Sequence, residues 1–177
     1  MEVFLTNLGA YNEGELRGKW VDPATCDWDE ELKAIGIGEE VNCGCVYEEY
    51  FITDYDDAPF DLGEYEPLER LTEIANYCEE YGSDLVGAMQ DMTSDWDNTV
   101  ERLDGGEYTL IYLDDSWIGD NDEKLGYAIV EQGLFGIEIP SELENYIDYA
   151  AIGRDTETGS WGDYYDIDGH TAYLELY

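Results

Sequence analysis

Positive charge is scarce in this chain. Seven Lys and Arg residues stand against 45 Asp and Glu in 177 residues, which gives a formal net charge of -38. Proteins bind nucleic acid phosphates and anionic lipid surfaces through Lys and Arg. The shortage therefore excludes direct nucleic acid binding through a basic surface and argues against docking on a membrane.

Residues typical of catalysis or metal binding are also few. His170 is the only histidine, and the four cysteines form no Cys-x-x-Cys motif. Cys43 and Cys45 could supply at most half of a tetrahedral metal site. The segment Gly159 to Gly162 lacks the Gly-x-Ser-x-Gly pattern that presents a nucleophile. We expect no enzymatic activity, no cofactor and no metal.

Long apolar runs are missing as well. No stretch approaches the roughly 20 apolar residues that a membrane helix needs. The opening MEVFLTNLG lacks the basic and then apolar layout of a signal peptide. We interpret the cysteines as reduced thiols. The missing signal peptide and the reduced thiols together predict a cytoplasmic protein.

What the chain does contain is enough apolar material to fold. Hydrophobic residues make up 44% of the sequence and aromatic residues 14%, including 16 Tyr and 5 Trp, so disorder is excluded. The net charge is -12 over 1–60, -10 over 61–103 and -16 over 104–177. Because the acids are spread evenly, we expect a folded surface covered with carboxylates rather than an acidic tail.

Periodicity predicts an α+β protein in three parts: a small β/α unit over 1–60, a helical middle over 61–104 and a β/α unit over 105–177. The predicted strands are 2–8, 15–21, 46–55, a strand that begins at residue 107, 160–167 and 170–176. In the strand 15–21, Leu16 and Trp20 are expected on one face. A loop is expected from Ala10 to Gly14. The predicted helices are Asp27–Ile35, 67–82, 83–92, one capped by Ser94, one from Asn121 or Asp122, and 140–153.

The charge density suggests what such a surface can do. Duplex DNA carries one phosphate charge per about 1.7 Å of helix axis. On that density, the 38 net charges equal the phosphates of about 19 base pairs, or about 65 Å of helix. The fold could therefore enter a DNA-binding channel as a decoy. Two alternatives stay open from charge alone: an acidic chaperone or buffer for a basic nucleic-acid-binding partner, and a halophilic-type domain.

Three blocks of sequence resemble the ArdA antirestriction proteins. Residues 7–20 (NLGAYNEGELRGKW) are similar to the opening of that family, and residues 48–55 (EEYFITDY) to its acidic third strand. Residues 143–155 (LENYIDYAAIGRD) resemble its C-terminal antirestriction motif. The blocks follow the family's order and span most of the chain.

The resemblance implies an elongated homodimeric DNA mimic, carried by mobile genetic elements in a bacterial host cell, that blocks type I restriction-modification enzymes. The matched blocks give the candidate phosphate mimics Glu13, Glu15, Glu48, Glu49, Asp54, Asp148 and Asp155. They also give the candidate motif and dimer-contact residues Leu143, Tyr146, Ile147, Tyr149, Gly153 and Arg154. We expect Arg154 to pair with Asp148 or Asp155, or to steady the dimer.

Overall fold

A computed structural model describes residues 1–40, 44–136 and 139–177, without the side chain of Phe135. The chain divides into two compact units, Met1–Gly87 and Ala88–Tyr177. Each unit has its own three-stranded antiparallel sheet. The α+β class predicted from periodicity is thereby confirmed, whereas the three predicted segment boundaries stay a prediction.

The first unit is built around a sheet of order β2-β1-β3. Its core consists of buried aliphatic side chains from all three strands and from the helical segments beside them, namely Val3, Leu5, Val21, Ile35, Ile52 and Leu71. The elements are β1 (Glu2–Asn7), α1 (Leu8–Asn12), β2 (Gly18–Val21), α2 (Trp28–Ala34), β3 (Tyr50–Asp56) and α3 (Leu68–Tyr81).

Two further helices connect the sheets. Helix α4 (Ser83–Thr93) runs across the division between the units, and α5 (Trp96–Gly105) follows it. The predicted cap of α5 was wrong by one residue: the Asp95 side chain accepts the backbone N–H of Asn98, while Ser94 lies at a φ of 55°. A carboxylate at this position also complements the positive end of the helix.

The second unit has the strand order β4-β6-β5 and is covered by two helices. Strands β5 and β6 meet at Asp168 and Gly169, whose φ angles are 55° and 76°. Positive φ at both positions suits the predicted hairpin turn. Ile111, Leu113, Leu125, Ala128, Ile129 and Tyr173 form the core. The elements are β4 (Tyr108–Tyr112), α6 (Asn121–Glu131), α7 (Tyr149–Gly159), β5 (Trp161–Ile167) and β6 (His170–Leu176).

Three further sequence-based expectations were wrong. The expected loop contains α1, because the Asn7 side chain accepts the backbone N–H of Ala10 and starts a helix. Strand β2 is shorter than predicted: Leu16 lies before it and is 69% exposed, and Trp20 within it is 42% exposed, so neither side chain is buried. No single helix runs from 140 to 153: a short 3-10 turn over Glu144–Tyr146 precedes α7, which Asp148 caps.

None of the helices in the described ranges is both long and apolar enough to span a membrane.

Candidate functional site

The first candidate carboxylates lie at the corner between α1 and β2. Glu13 is exposed, and its Oε2 accepts a hydrogen bond of 2.8 Å from the phenol of Tyr47. Glu15 instead accepts from Nε and Nη2 of Arg17 at 3.0 and 2.9 Å, and Arg17 also reaches Glu39 at 3.2 Å. Glu15 is thus paired with a cation, whereas Glu13 is held by a neutral hydroxyl.

Glu48 and Glu49 precede β3 and are both exposed. They line a cleft of about 390 Å³ together with Leu8, Tyr50 and Tyr65. The described lining contains two carboxylates and no Lys or Arg. A cationic side chain of a partner could therefore reach both carboxylates without displacing an internal ion pair.

Asp54 lies on β3 at the edge of a second cleft. This cleft of about 460 Å³ is lined by Glu2, Trp20, Asp54, Tyr55 and Asp56, and again its described lining holds no Lys or Arg. Glu2 and Asp56 are direct partners across β1 and β3. Like charges opposite each other in a strand pair destabilise a sheet, so this arrangement has a cost in stability.

The antirestriction-like motif folds differently from the expected continuous helix. Asp148 is the N-cap of α7, and its Oδ1 accepts the backbone N–H of Ala151 at 2.9 Å. The ring of Tyr149 stacks on Tyr127 at a centroid distance of 4.0 Å. Tyr146, 83% exposed, ends the preceding 3-10 turn, so Tyr146 and Tyr149 do not share one helix face.

Gly153 allows α6 and α7 to pack closely. A Cβ on Gly153 would lie 1.9 Å from the backbone oxygen of Asp122. Gly126 on the facing helix has the same role, because its Cβ would lie 1.9 Å from the backbone oxygen of Tyr149. Sequence reasoning missed Gly126, although a glycine inside a helical pattern is a signal of close packing.

The remaining motif residues lie nearer the surface. Leu143 is 51% exposed, Ile147 is half-buried, and Asp155 is an exposed residue of α7. Arg154 is also exposed, and within the described ranges no ion pair joins it to Asp148 or Asp155. A role for Arg154 at a dimer contact stays a prediction.

Four tyrosines donate their phenol hydrogens to carboxylates elsewhere in the chain. The bonds are Tyr47 to Glu13 (2.8 Å), Tyr55 to Asp61 (2.9 Å), Tyr164 to Asp122 (3.2 Å) and Tyr165 to Asp91 (2.8 Å). Sequence reasoning missed all four, since the partners have no fixed spacing.

These bonds keep the phenols protonated. The hydrogen bond to Glu13 raises the pKa of Tyr47, and the bond to Asp61 raises the pKa of Tyr55. Burial, followed by the interaction with a carboxylate, raises the pKa of both Tyr164 and Tyr165. At neutral pH each phenol is therefore a hydrogen-bond donor without charge.

Several cations are paired within the fold. Lys19 pairs with Glu31, Arg70 with Glu66 at 3.8 Å, and Arg102 with Glu107 at 3.7 Å. Arg102 also donates to the backbone oxygen of Tyr177 and lies over the Trp161 ring at 5.0 Å. These contacts stabilise local structure and offset the charge of the glutamates involved.

Residues suited to metal chemistry do not assemble in the described part of the chain, where no group of three or more His, Cys, Asp or Glu side chains could hold an ion. Cys43, half of the Cys43–Cys45 pair, lies outside the described residues. His170 is exposed and lies 3.4 Å from Asp115, also exposed.

Fold and surface together define an acidic α+β protein whose exposed carboxylates suit a cationic partner. A model of the antirestriction protein family ArdA matches residues 3–168, and the chain belongs to this family. The family resemblance from sequence is thereby confirmed, and membership implies an antirestriction function directed at type I restriction enzymes. Comparison with curated protein sequences gave no significant match.

Proposed function

We propose that the protein mimics B-form DNA with its surface carboxylates and occupies the DNA-binding groove of a type I restriction-modification enzyme, so that DNA cannot bind. The observation that carries the proposal is the cleft with Glu2, Asp54 and Asp56, where like charges face each other and the described lining has no cation. Such an arrangement lowers stability but attracts the Lys and Arg that normally bind phosphates.

The proposed contact residues are the exposed candidates. Glu13, Glu48, Glu49, Asp54 and Asp155 face solvent. Glu15 is a weaker candidate because it shares Arg17 with Glu39. Asp148 is a weaker candidate because its carboxylate already caps α7. A decoy of this kind needs no cofactor or chemical step, acts in the bacterial cytoplasm and does not bind nucleic acid itself.

We also propose that two copies pair through the motif segment. Leu143 and Tyr146 are large apolar side chains with exposures of 51% and 83%, and both belong to the matched motif. Burying them against a second copy would remove apolar surface from water. Sedimentation over a range of concentrations would detect the dimer, and a monomer at all concentrations would contradict this part.

The test is displacement of DNA from a type I modification enzyme bound to its recognition duplex, followed by gel shift near physiological salt. The control is an unrelated folded protein of equal negative charge. Displacement by this protein alone, at near-stoichiometric amounts, is the expected result. Displacement by both would mean that negative charge alone suffices, and displacement by neither would favour the acidic chaperone or buffer, or the halophilic alternative.

A further inference from the structure

Exposed carboxylates in this protein are held by two kinds of partner. Arg17 fixes Glu15, but the guanidinium also offsets the negative charge. Tyr47 fixes the neighbouring Glu13 with a neutral hydroxyl, which leaves the charge intact. Arg17 also lies over the Tyr47 ring, 5.5 Å from its centroid, so the two glutamates share a neighbourhood and differ in the group that donates to them.

The three tyrosines belong to well-packed or sheet-paired parts of the fold. Tyr47 is 6% exposed, and its ring packs so closely on Gly9 that a Cβ there would lie 2.4 Å from its Cδ1. Tyr55 is a residue of β3 paired with Val3, and Tyr165 is a residue of β5 paired with Ala172. The fold therefore holds the Tyr47 ring and the backbones of Tyr55 and Tyr165 in place.

The acceptors face solvent. Glu13, Asp61 and Asp91 are all exposed, while the three phenols that hold them are buried or half-buried. In contrast, Asp122, the acceptor of Tyr164, is half-buried. Each of the three carboxylates thus accepts a phenol hydrogen bond while it stays open to a partner, and the bonds from Tyr55 and Tyr165 are themselves exposed.

An anchored carboxylate binds a cation better than a free one. Ordering a flexible side chain at an interface reduces affinity, and a side chain ordered beforehand avoids that loss. Hydrogen bonds to an ionised acceptor are also short and strong. The three observed O···O distances, 2.8, 2.9 and 2.8 Å, lie in the range of ordinary O–H···O hydrogen bonds.

We propose that Tyr47, Tyr55 and Tyr165 are positioning residues that hold Glu13, Asp61 and Asp91 as fixed, fully charged contacts for the basic groove of the target. The proposal rests on the proposed function. It adds Asp61 and Asp91, which lie outside the matched motif blocks, to the binding surface. It also gives the tyrosines a role in recognition without direct contact.

The test compares a triple variant, Y47F/Y55F/Y165F, with the wild-type protein in the DNA displacement assay. Phenylalanine keeps the ring packing and leaves an exposed carboxylate that water can hydrate. One exposed charge contact contributes up to about fivefold in affinity. We therefore expect that displacement of the DNA needs about a tenfold higher concentration of the triple variant than of the wild-type protein. The control is Y177F. It removes a tyrosine hydroxyl that donates to the backbone oxygens of Gly106 and Tyr108 and not to a carboxylate.

Two further readouts separate positioning from a structural role. The phenylalanine triple keeps all its carboxylates, so its affinity should fall without a change in the salt dependence, whereas E13Q/D61N/D91N should also show a shallower salt dependence. In addition, Y47F should have no effect in an E13Q background. Melting temperatures identify any variant that fails to fold, and Y55F and Y165F alone then replace the triple.

The outcomes are distinguishable. If wild-type protein displaces DNA and the phenylalanine triple matches it, positioning is overturned while the proposed function stands. If Y47F weakens displacement equally with and without Glu13, the phenol acts on the fold and positioning is again overturned. If wild-type protein displaces no DNA, the proposed function fails and this inference fails with it.

Discussion

The sheet of the first unit and the motif segment of the second unit use their acidic residues differently. Around β3, Glu48, Glu49 and Asp54 are exposed and line clefts without a cation in the described lining. In the motif, Asp148 caps a helix and Gly153 lets two helices pack closely. The first region presents charge, and several residues of the second maintain the fold.

A matched family motif therefore need not be the contact surface. Loss of function from a change in the motif can follow from lost stability alone. Loss of function from a change at β3 should instead follow from lost charge. Measuring stability beside binding separates the two causes.

The largest effect is expected for G153A. Its Cβ would lie 1.9 Å from the backbone oxygen of Asp122, so α6 and α7 must move apart. Overpacking of this kind costs about 3 kcal/mol of unfolding free energy. The matched control is G159A in the same helix, where a Cβ meets nothing within 4 Å. There the change should be within about 0.5 kcal/mol. Equal denaturant midpoints for both variants would contradict this packing.

The next effect concerns the triple neutralisation E48Q/E49Q/D54N. With up to about 1 kcal/mol for each exposed contact, binding to the type I enzyme should weaken by about 2 kcal/mol in total. Stability should stay within about 0.5 kcal/mol or rise, because repulsion is relieved.

Its control, E39Q/E66Q/E107Q, removes the same formal charge from glutamates that pair with arginines. Calorimetric titration should detect a smaller loss of affinity in this control. Equal losses in the two triples would mean that total charge, and not its location, determines binding.

A smaller effect is expected for D148A. Losing the N-cap should cost about 1 kcal/mol of unfolding free energy. D155A removes an exposed acid from the same helix. It should change stability by less than about 0.5 kcal/mol. Thermal unfolding measures both, and a D155A variant as unstable as D148A would overturn the capping role.

The smallest effect is expected for the loss of stability at alkaline pH that arises from two tyrosines in the sheet of the second unit. The native pKa values of Tyr164 and Tyr165 are raised, so the fold favours the neutral phenols. Their contribution to stability is present below the unfolded pKa of about 10 and is lost as the pH rises above it toward the native pKa. Melting temperatures should fall above that pH, and less so for Y165F. A wild-type curve that stays flat would contradict this account.

Much of the fold could be predicted from the sequence, because periodicity and caps are local. Asp27 capping α2, Leu71 and Ile74 facing inward on α3, and the turn at Asp168 and Gly169 all follow from neighbouring residues. The helix expected over 140–153 was wrong because its apolar spacing could not reveal that Asp148 begins a new helix.

The candidate site was less predictable. Exposure of Glu48 and Glu49 agrees with their acidic character, but the partner of each carboxylate depends on tertiary contacts. Tyr47 lies 34 residues from Glu13, and Tyr165 lies 74 residues from Asp91. No spacing rule in the sequence links such pairs. Only the folded structure shows whether a given carboxylate accepts a hydrogen bond from a neutral tyrosine or from a cationic arginine.

If exposed carboxylates bind the groove in place of phosphates, the affinity must depend strongly on salt. Affinity for a type I modification enzyme would be measured by calorimetry at increasing salt. Because salt screens and competes with such contacts, affinity should fall about tenfold or more between roughly 50 and 200 mM salt. An affinity that is unchanged over this range would contradict the claim.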